Sequence, residues 1–211
     1  MSPTSNLEVR DADTIKVAYD GQEFELPVVE GSEGERAIDI SRLRGQTGLI
    51  TLDEGFVNTG STRSAITFLN GEKGILRYRG YPIEQLAAKS DFIETAYLLI
   101  NGELPNAKQA EDFRVGIREH TMIHEDMRSF YNGFPRDAHP MAILSSVVGA
   151  LSTFYQDAMD VHDKDQVEIS VYRLLAKLPT IAAYSYKKSM GQPSIYPNNE
   201  LSYCENFLHM M

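Results

Sequence analysis

The chain has 211 residues, enough to bury a sizeable core in one or two domains. A net charge of −10, from 30 acids against 20 bases, argues against nucleic acid or an anionic membrane surface as the main partner. The single cysteine, Cys204, excludes an internal disulfide, and with no signal-peptide pattern in residues 1–10 a cytoplasmic setting is expected. Residues 1–60 hold 12 of the acids and 5 of the bases, net −7, so the start is a distinct acidic segment and the remainder is nearly balanced. Residues 1–12 read as loose. Alternation then places Ile15, Val17 and Tyr19 on one face of a strand. Asp20-Gly21 and a second alternating run through Phe24, Leu26 and Val28 complete a hairpin signal. Short strands are expected at 38–40 and 49–52, followed by a polar loop over 55–64. A second hairpin is expected from residue 66, through Asn70-Gly71, to Arg79. The expected organisation is an acidic, strand-rich segment over 1–60, then 61–211 as the second hairpin followed by helices.

The helices follow in order. Pro82 suits the first turn of a helix over 83–89. Asp91 and Glu94 form a capping box for a helix ending at Asn101-Gly102. A longer helix is expected from Asn106 to about Tyr131, its seam running through Ala110, Phe113, Ile117, His120, His124 and Met127. Pro140 opens a helix to about residue 156, and Gly149 inside it suggests a close helix contact. A helix from Asp165 carries Val167, Val171, Leu174, Leu175 and Leu178 on its apolar face. Pro179 is expected to break or kink it before a further segment over 180–190. A loop covers 191–199. The last segment places Leu201, Cys204, Phe207, Leu208 and Met211 at helical spacing, and the pattern is unfinished at Met211, which suggests the front part of a longer protein.

Few residues carry obvious chemistry. His120 and His124 fall one helical turn apart, half of a zinc-site spacing, but structural helix packing is the favoured reading. The metalloprotease order would need Glu directly after the first His, where Thr121 stands. His139 at a helix start reads as a capping residue. Arg77 and Arg79 share a strand face and read as surface partners of acids. Arg173 and Lys177 are like charges four residues apart, which read as a solvated helix face. No phosphate-binding glycine loop, nucleophilic triad or activated cysteine is visible.

The string Asn70-Gly71-Glu72-Lys73-Gly74-Ile75-Leu76-Arg77-Tyr78-Arg79-Gly80-Tyr81-Pro82-Ile83 resembles a segment found early in citrate synthases. The resemblance continues through His120-Thr121-Met122-Ile123-His124-Glu125, His139-Pro140-Met141, Lys177-Leu178-Pro179-Thr180 and from Gly191-Gln192-Pro193 to Asn206-Phe207-Leu208. Its spacing is most similar to the bacterial branch that forms hexamers. The resemblance implies a mainly α fold built from large-domain helices, with a small N-terminal antiparallel β segment. It implies an acyltransferase of the tricarboxylic acid cycle that condenses acetyl-CoA with oxaloacetate, assembling as a homodimer or hexamer. The family's catalytic histidine and aspartate and its oxaloacetate-holding residues lie beyond residue 211, so none is carried onto this chain. The chain alone is therefore expected to be inactive. No cofactor is implied, acetyl-CoA being a substrate. An allosteric NADH site is implied at His120, Thr121, Tyr155, Arg173 and Lys177, with Met122 nearby. Glu119 departs from the arginine of NADH-regulated relatives, so NADH control is expected to be weakened or absent. Two alternatives stay open: a fragment of a 2-methylcitrate synthase, and a stand-alone nucleotide-binding or oligomerisation module.

Overall fold

Two short turns set the N-terminal sheets, and the computed structural model describes residues 10–211, with side chains from residue 13 onward. Residues 1–9 of the expected loose start lie outside the described residues, and 10–12 belong to a strand. Strands β1 (Arg10–Tyr19), β2 (Gln22–Glu30) and β3 (Arg36–Ile38) form one antiparallel sheet in the order 1-2-3. Asp20 and Gly21 both have positive φ, 51° and 75°, which matches the right-handed twist of the flanking strands. The register Ile15 to Leu26 and Val17 to Phe24 gathers the apolar side chains on one face, where Leu26 and Val28 are buried.

The strand expected at 49–52 is not formed. A one-and-a-half-turn helix, α1 (Leu43–Thr47), ends on left-handed Gly48, and the Thr47 hydroxyl accepts the Leu49 amide. Local polar groups thus satisfy the backbone that a ladder would have paired, and Ile50 and Leu52 are left exposed. Strands β4 (Thr67–Asn70), β5 (Ile75–Tyr78) and β6 (Tyr81–Pro82) make the second antiparallel sheet. Arg79 and Gly80 turn β5 into β6 with φ of 50° and 89°. Arginine tolerates that conformation because its guanidinium donates twice to the Leu99 carbonyl, at 3.2 and 2.7 Å. Arg77 pairs with Glu33, as the sequence led one to expect, whereas Arg79, expected to meet an acid likewise, is bound to that backbone carbonyl. Helix α2 (Ile83–Lys89) follows, burying Leu86. Helix α3 (Phe92–Asn101) starts on the Asp91/Glu94 box and ends before Gly102 in the left-handed region.

The chain divides into two compact units, 1–90 with Leu98–Glu103, and Asp91–Tyr97 with Leu104–Met211. The second is all helical among the described residues: α4 (Ala107–Arg118), α5 (Glu125–Asn132), α6 (Pro140–Phe154), a 3-10 turn (Gln156–Ala158), α7 (Lys164–Met190) and α8 (Tyr203–Met210). The fold is mainly helical with small antiparallel sheets at its start, as expected. Its core has two clusters. One joins Ile123, Met127, Tyr131, Ile143, Val147 and Ile181, among others. Ile143, Val147 and Leu151 reach that cluster from α6 because they recur every fourth residue on one helix face. The other joins Ile93, Ala96, Phe113, Ile117 and Ala176.

Four expectations are not met as stated. The helix expected over 106–131 is two helices, α4 and α5, separated at 119–124. Its buried residues Ala110, Phe113, Ile117 and Met127 do face the core, but they do so from two elements. The close helix contact falls at Gly116, where an added Cβ would lie 2.5 Å from the Tyr172 ring, and not at Gly149, which has no atom within 4 Å of that position. The stripe expected to be buried on α7 is partly outward, with Val167, Leu174 and Leu178 exposed, while Ala176, Lys177, Thr180 and Ile181 are buried. Finally, the break that Pro179 offered does not occur, and α7 runs through it as one helix. Proline has no N–H for the Leu175 carbonyl four residues back, and the Tyr203 hydroxyl donates to that oxygen instead, at 3.0 Å. At the chain's end, α8 starts on a Ser202/Glu205 capping box; it buries Asn206 and Met210 and leaves Cys204 and Leu208 exposed.

Candidate functional site

Of the six candidate residues, Arg173 and Lys177 meet the ring of a third, Tyr155, and Lys177 also binds the backbone at His120 and Met122, on either side of Thr121. Arg173 and Lys177 are four residues apart on α7, so their side chains leave the helix on one face. Tyr155 caps the C-terminal end of α6. Its ring receives both cations: the Arg173 guanidinium carbon lies 4.5 Å from the ring centre and the Lys177 ammonium 5.2 Å. The solvated-face reading of this pair is therefore replaced by a packed one, and Lys177 is only 3% exposed.

Each cation already has partners. Both terminal amines of Arg173 donate to the Asp157 carboxylate, at 2.9 and 2.8 Å, a bidentate pair. That pairing holds the Asp157 carboxyl below its usual range and raises Arg173. Lys177 donates to the carbonyls of His120 and Met122, both at 2.6 Å. Burial, helped by the nearby Arg173 charge, lowers its ammonium to about 8. Burial also raises the Tyr155 phenol.

Thr121 is buried between these carbonyls. Its hydroxyl contacts the Asn199 side chain at 2.7 Å, and its own carbonyl accepts the Thr180 hydroxyl at 2.9 Å. Three consecutive carbonyls, at 120, 121 and 122, are thus held by Lys177 and Thr180 of α7. This is the physical reason that α4 and α5 are separate. His120 lies just past α4 and its Nδ1 is 2.7 Å from the Gly116 carbonyl, so that nitrogen donates. Met122 contributes its carbonyl, and its side chain is exposed. Glu119 closes α4 and is exposed.

The two imidazoles are not paired on a helix. His124 caps α5, its Nδ1 accepting the Asp126 amide at 3.1 Å, and its ring packs 5.2 Å from Phe154. The half-zinc spacing therefore disappears with the helix that would have carried it. His139 caps α6 in the same way, through the Met141 amide. Sequence reasoning missed Asp157, Thr180 and Asn199. No periodicity marks an aspartate in a three-residue 3-10 turn or an asparagine in a loop, and their importance comes from partners 16 to 78 positions away.

A cavity of about 540 Å³ adjoins this cluster within the same unit, with Thr121 and Thr180 in its lining. Its apolar floor includes Ile117, Ala176, Pro179 and Met210, and Arg114 and Arg118 stand among its polar lining. Arg114 is held by Asp91 and Glu94 at 2.8 and 3.0 Å. Among the described residues no helix is long and apolar enough to cross a membrane.

With this geometry in hand, the comparisons define the class. Residues 55–211 match the family described as citrate synthase, C-terminal domain. The chain belongs to the citrate synthase family. It is 57% identical over 198 residues to citrate synthase 1 of Mycobacterium tuberculosis, covering 94% of this chain and 46% of that protein. It is 50% identical over 193 residues to the citrate synthase of Corynebacterium glutamicum, covering 92% and 44%. Among solved structures, citrate synthase from Pyrobaculum aerophilum superposes with a TM-score of 0.68 at 28% identity, covering 94% of this chain and 46% of that one. The Thermotoga maritima enzyme gives 0.65 at 30% identity, covering 76% and 41%. The chain spans less than half the length of the curated relatives it matches.

Proposed function

We propose that this chain is the N-terminal part of a citrate synthase, an acyltransferase that joins acetyl-CoA to oxaloacetate to give citrate and CoA. The observation that carries the reading is 57% identity over 198 residues to a protein named citrate synthase, of which the match covers 46%. The acid–base work of such a condensation requires positioned proton donors and acceptors near an enol oxygen. The residues gathered around Tyr155 do not supply them: Arg173 and Lys177 are cations bound to Asp157 and to backbone carbonyls. The 211-residue chain alone is accordingly inactive in this reading, and the longer protein acts in the cytoplasm as a homodimer or hexamer. Incubating purified chain with acetyl-CoA and oxaloacetate and measuring released thiol tests the inactivity. Robust turnover refutes it. Repeating the assay on the longer gene product with propionyl-CoA separates citrate from 2-methylcitrate synthesis.

A second reading concerns regulation. The meeting of Arg173 and Lys177 at Tyr155, with Lys177 bound to the backbone at His120 and Met122 beside Thr121, supports the assignment of these six residues to an allosteric nucleotide site, here with weakened affinity for NADH. Glu119 places an acid beside His120, and both cations have internal partners. Saturable sub-millimolar binding of NADH to the intact protein would overturn the weakened-affinity reading.

A further inference from the structure

A polar cleft of about 390 Å³ lies in the helical unit between α5, the end of α7 and the loop after it, and none of the six candidate residues lines it. Its charged lining is Glu125 and Arg128 of α5 and Lys188 of α7. The one carboxylate is already engaged. Glu125 accepts the Tyr196 hydroxyl at 2.7 Å on one oxygen and an Arg128 amine at 3.2 Å on the other, and that same amine donates to the Tyr196 oxygen. The Arg128 guanidinium also lies over the Tyr196 ring, 4.8 Å from its centre. Both of these hydrogen bonds leave from Nη1, so the Nη2 and Nε donors of Arg128 have no partner among the described residues. Lys188 likewise has no hydrogen bond or ion pair from its ammonium among the described residues. The carbonyls that end α7 do not call on it: those of Lys187 and Lys188 accept the amides of Gln192 and Gly191, at 2.9 and 3.1 Å.

A buried phenol points the same way. Tyr184 is only 2% exposed, and its ring packs edge-on to Tyr131 with the core. Its hydroxyl has no hydrogen-bond partner among the described residues, yet no fully buried side-chain nitrogen or oxygen among them is without one. The hydroxyl therefore opens into the cleft that Tyr184 lines. We infer that this cleft is a binding site for a small anion, a carboxylate or a phosphate, held by Lys188, Arg128 and the Tyr184 hydroxyl. With Glu125 neutralised by Arg128, the lining keeps one positive charge, at Lys188, and its free groups are donors, which calls for a ligand rich in acceptor oxygens. The volume, near the lower end for ligand pockets, selects a small one. Arg128 is held in advance by Glu125 and by the Tyr196 ring, so little side-chain freedom is lost when its remaining donors meet the ligand. The phenol, fixed by its buried ring, supplies a directed hydrogen bond from the floor.

The test is NMR titration of the 211-residue chain at low salt with sodium malonate and, in a separate series, with inorganic phosphate, following the amides of Ser129 and Ser194 in the cleft wall. Saturable shifts at low millimolar concentration are expected. Malonate alone assigns a carboxylate ligand, phosphate alone a phosphate, and saturation by both a site that takes either. Lys188→Ala is expected to weaken binding at least about fivefold, and Tyr184→Phe, which keeps the buried ring and removes only the hydroxyl, about threefold. Lys164→Ala, an exposed charge at the opposite end of α7, is expected to change nothing. Shifts that never saturate, an affinity unmoved by Lys188→Ala or by Tyr184→Phe, or equal weakening by Lys164→Ala overturns the site. Should a cleft variant fail to fold, the unaltered chain decides: the anion that binds is expected to shift the Tyr184 ring signals in step with the Ser129 and Ser194 amides, and ring signals that stay unmoved at saturation overturn it.

Discussion

Two stretches of the helical unit reverse the usual punctuation of a sequence. Residues 107–132 contain no proline, yet they break into α4 and α5 at 119–124. Residues 164–190 contain Pro179, yet they form one helix of 27 residues. Both outcomes follow from where backbone carbonyls find donors. In the first stretch, Lys177 and Thr180 hold the carbonyls at 120, 121 and 122. In the second, the carbonyl orphaned by Pro179 is met by Tyr203 from α8. The comparison teaches that a helix ends where tertiary donors outcompete its own ladder, and survives a proline where they replace the missing rung.

The largest expected effect that sharpens this comparison is a pH dependence. Lys177 titrates near 8 when folded against about 10.5 unfolded, so between these values the unfolded chain holds a proton that the folded chain has shed. Stability is therefore expected to rise with pH across this window, by about 2 kcal/mol between pH 8 and 9.5. Urea unfolding at several pH values should show the rise, and Lys177→Met should flatten it. Next, Thr180→Val leaves the Thr121 carbonyl without its buried donor. It is expected to cost about 1.5 kcal/mol and to speed amide exchange across 119–124. Tyr203→Phe removes the donor at the proline site and is expected to cost about 1 kcal/mol. Pro179→Ala in that background restores an N–H and should recover the loss, which a double-mutant cycle on thermal unfolding would read directly. The smallest effect is expected from Asn106→Ala. It removes a reciprocal cap at the start of α4, at a cost of about 0.5–1 kcal/mol in urea unfolding, without altering the break.

Local chemistry was well expressed in the sequence. The Asp20-Gly21 hairpin, the helix over 83–89 and the Asp91/Glu94 box all formed where residue pattern placed them. These features depend on residues within a few positions of one another. The 119–124 break depends on residues 55 to 59 positions later, and no window of the sequence contains both partners. The outward turn of Leu174 and Leu178 was hidden for a related reason. Periodicity identifies an apolar stripe, but the face that packs was chosen by the close approach of Tyr172 to Gly116 and by the buried duties of Lys177 and Thr180. The candidate cluster was legible as a set of residues through family resemblance. Its electrostatic state was not, because Asp157, which neutralises Arg173, carried no signal of its own.

The length of α7 has a consequence for how the helical unit comes apart. Ala176 belongs to one core cluster, and Ile181 and Tyr184 belong to the other. The nine residues from Ala176 to Tyr184 on this one helix therefore thread both. Neither cluster can melt while the other stays intact without breaking the rod between them, so the unit is expected to unfold as one cooperative block. In native-state hydrogen exchange, the amides of 180–184 should then exchange only through the global transition, at a common free energy, while those of α1 exchange by small local openings.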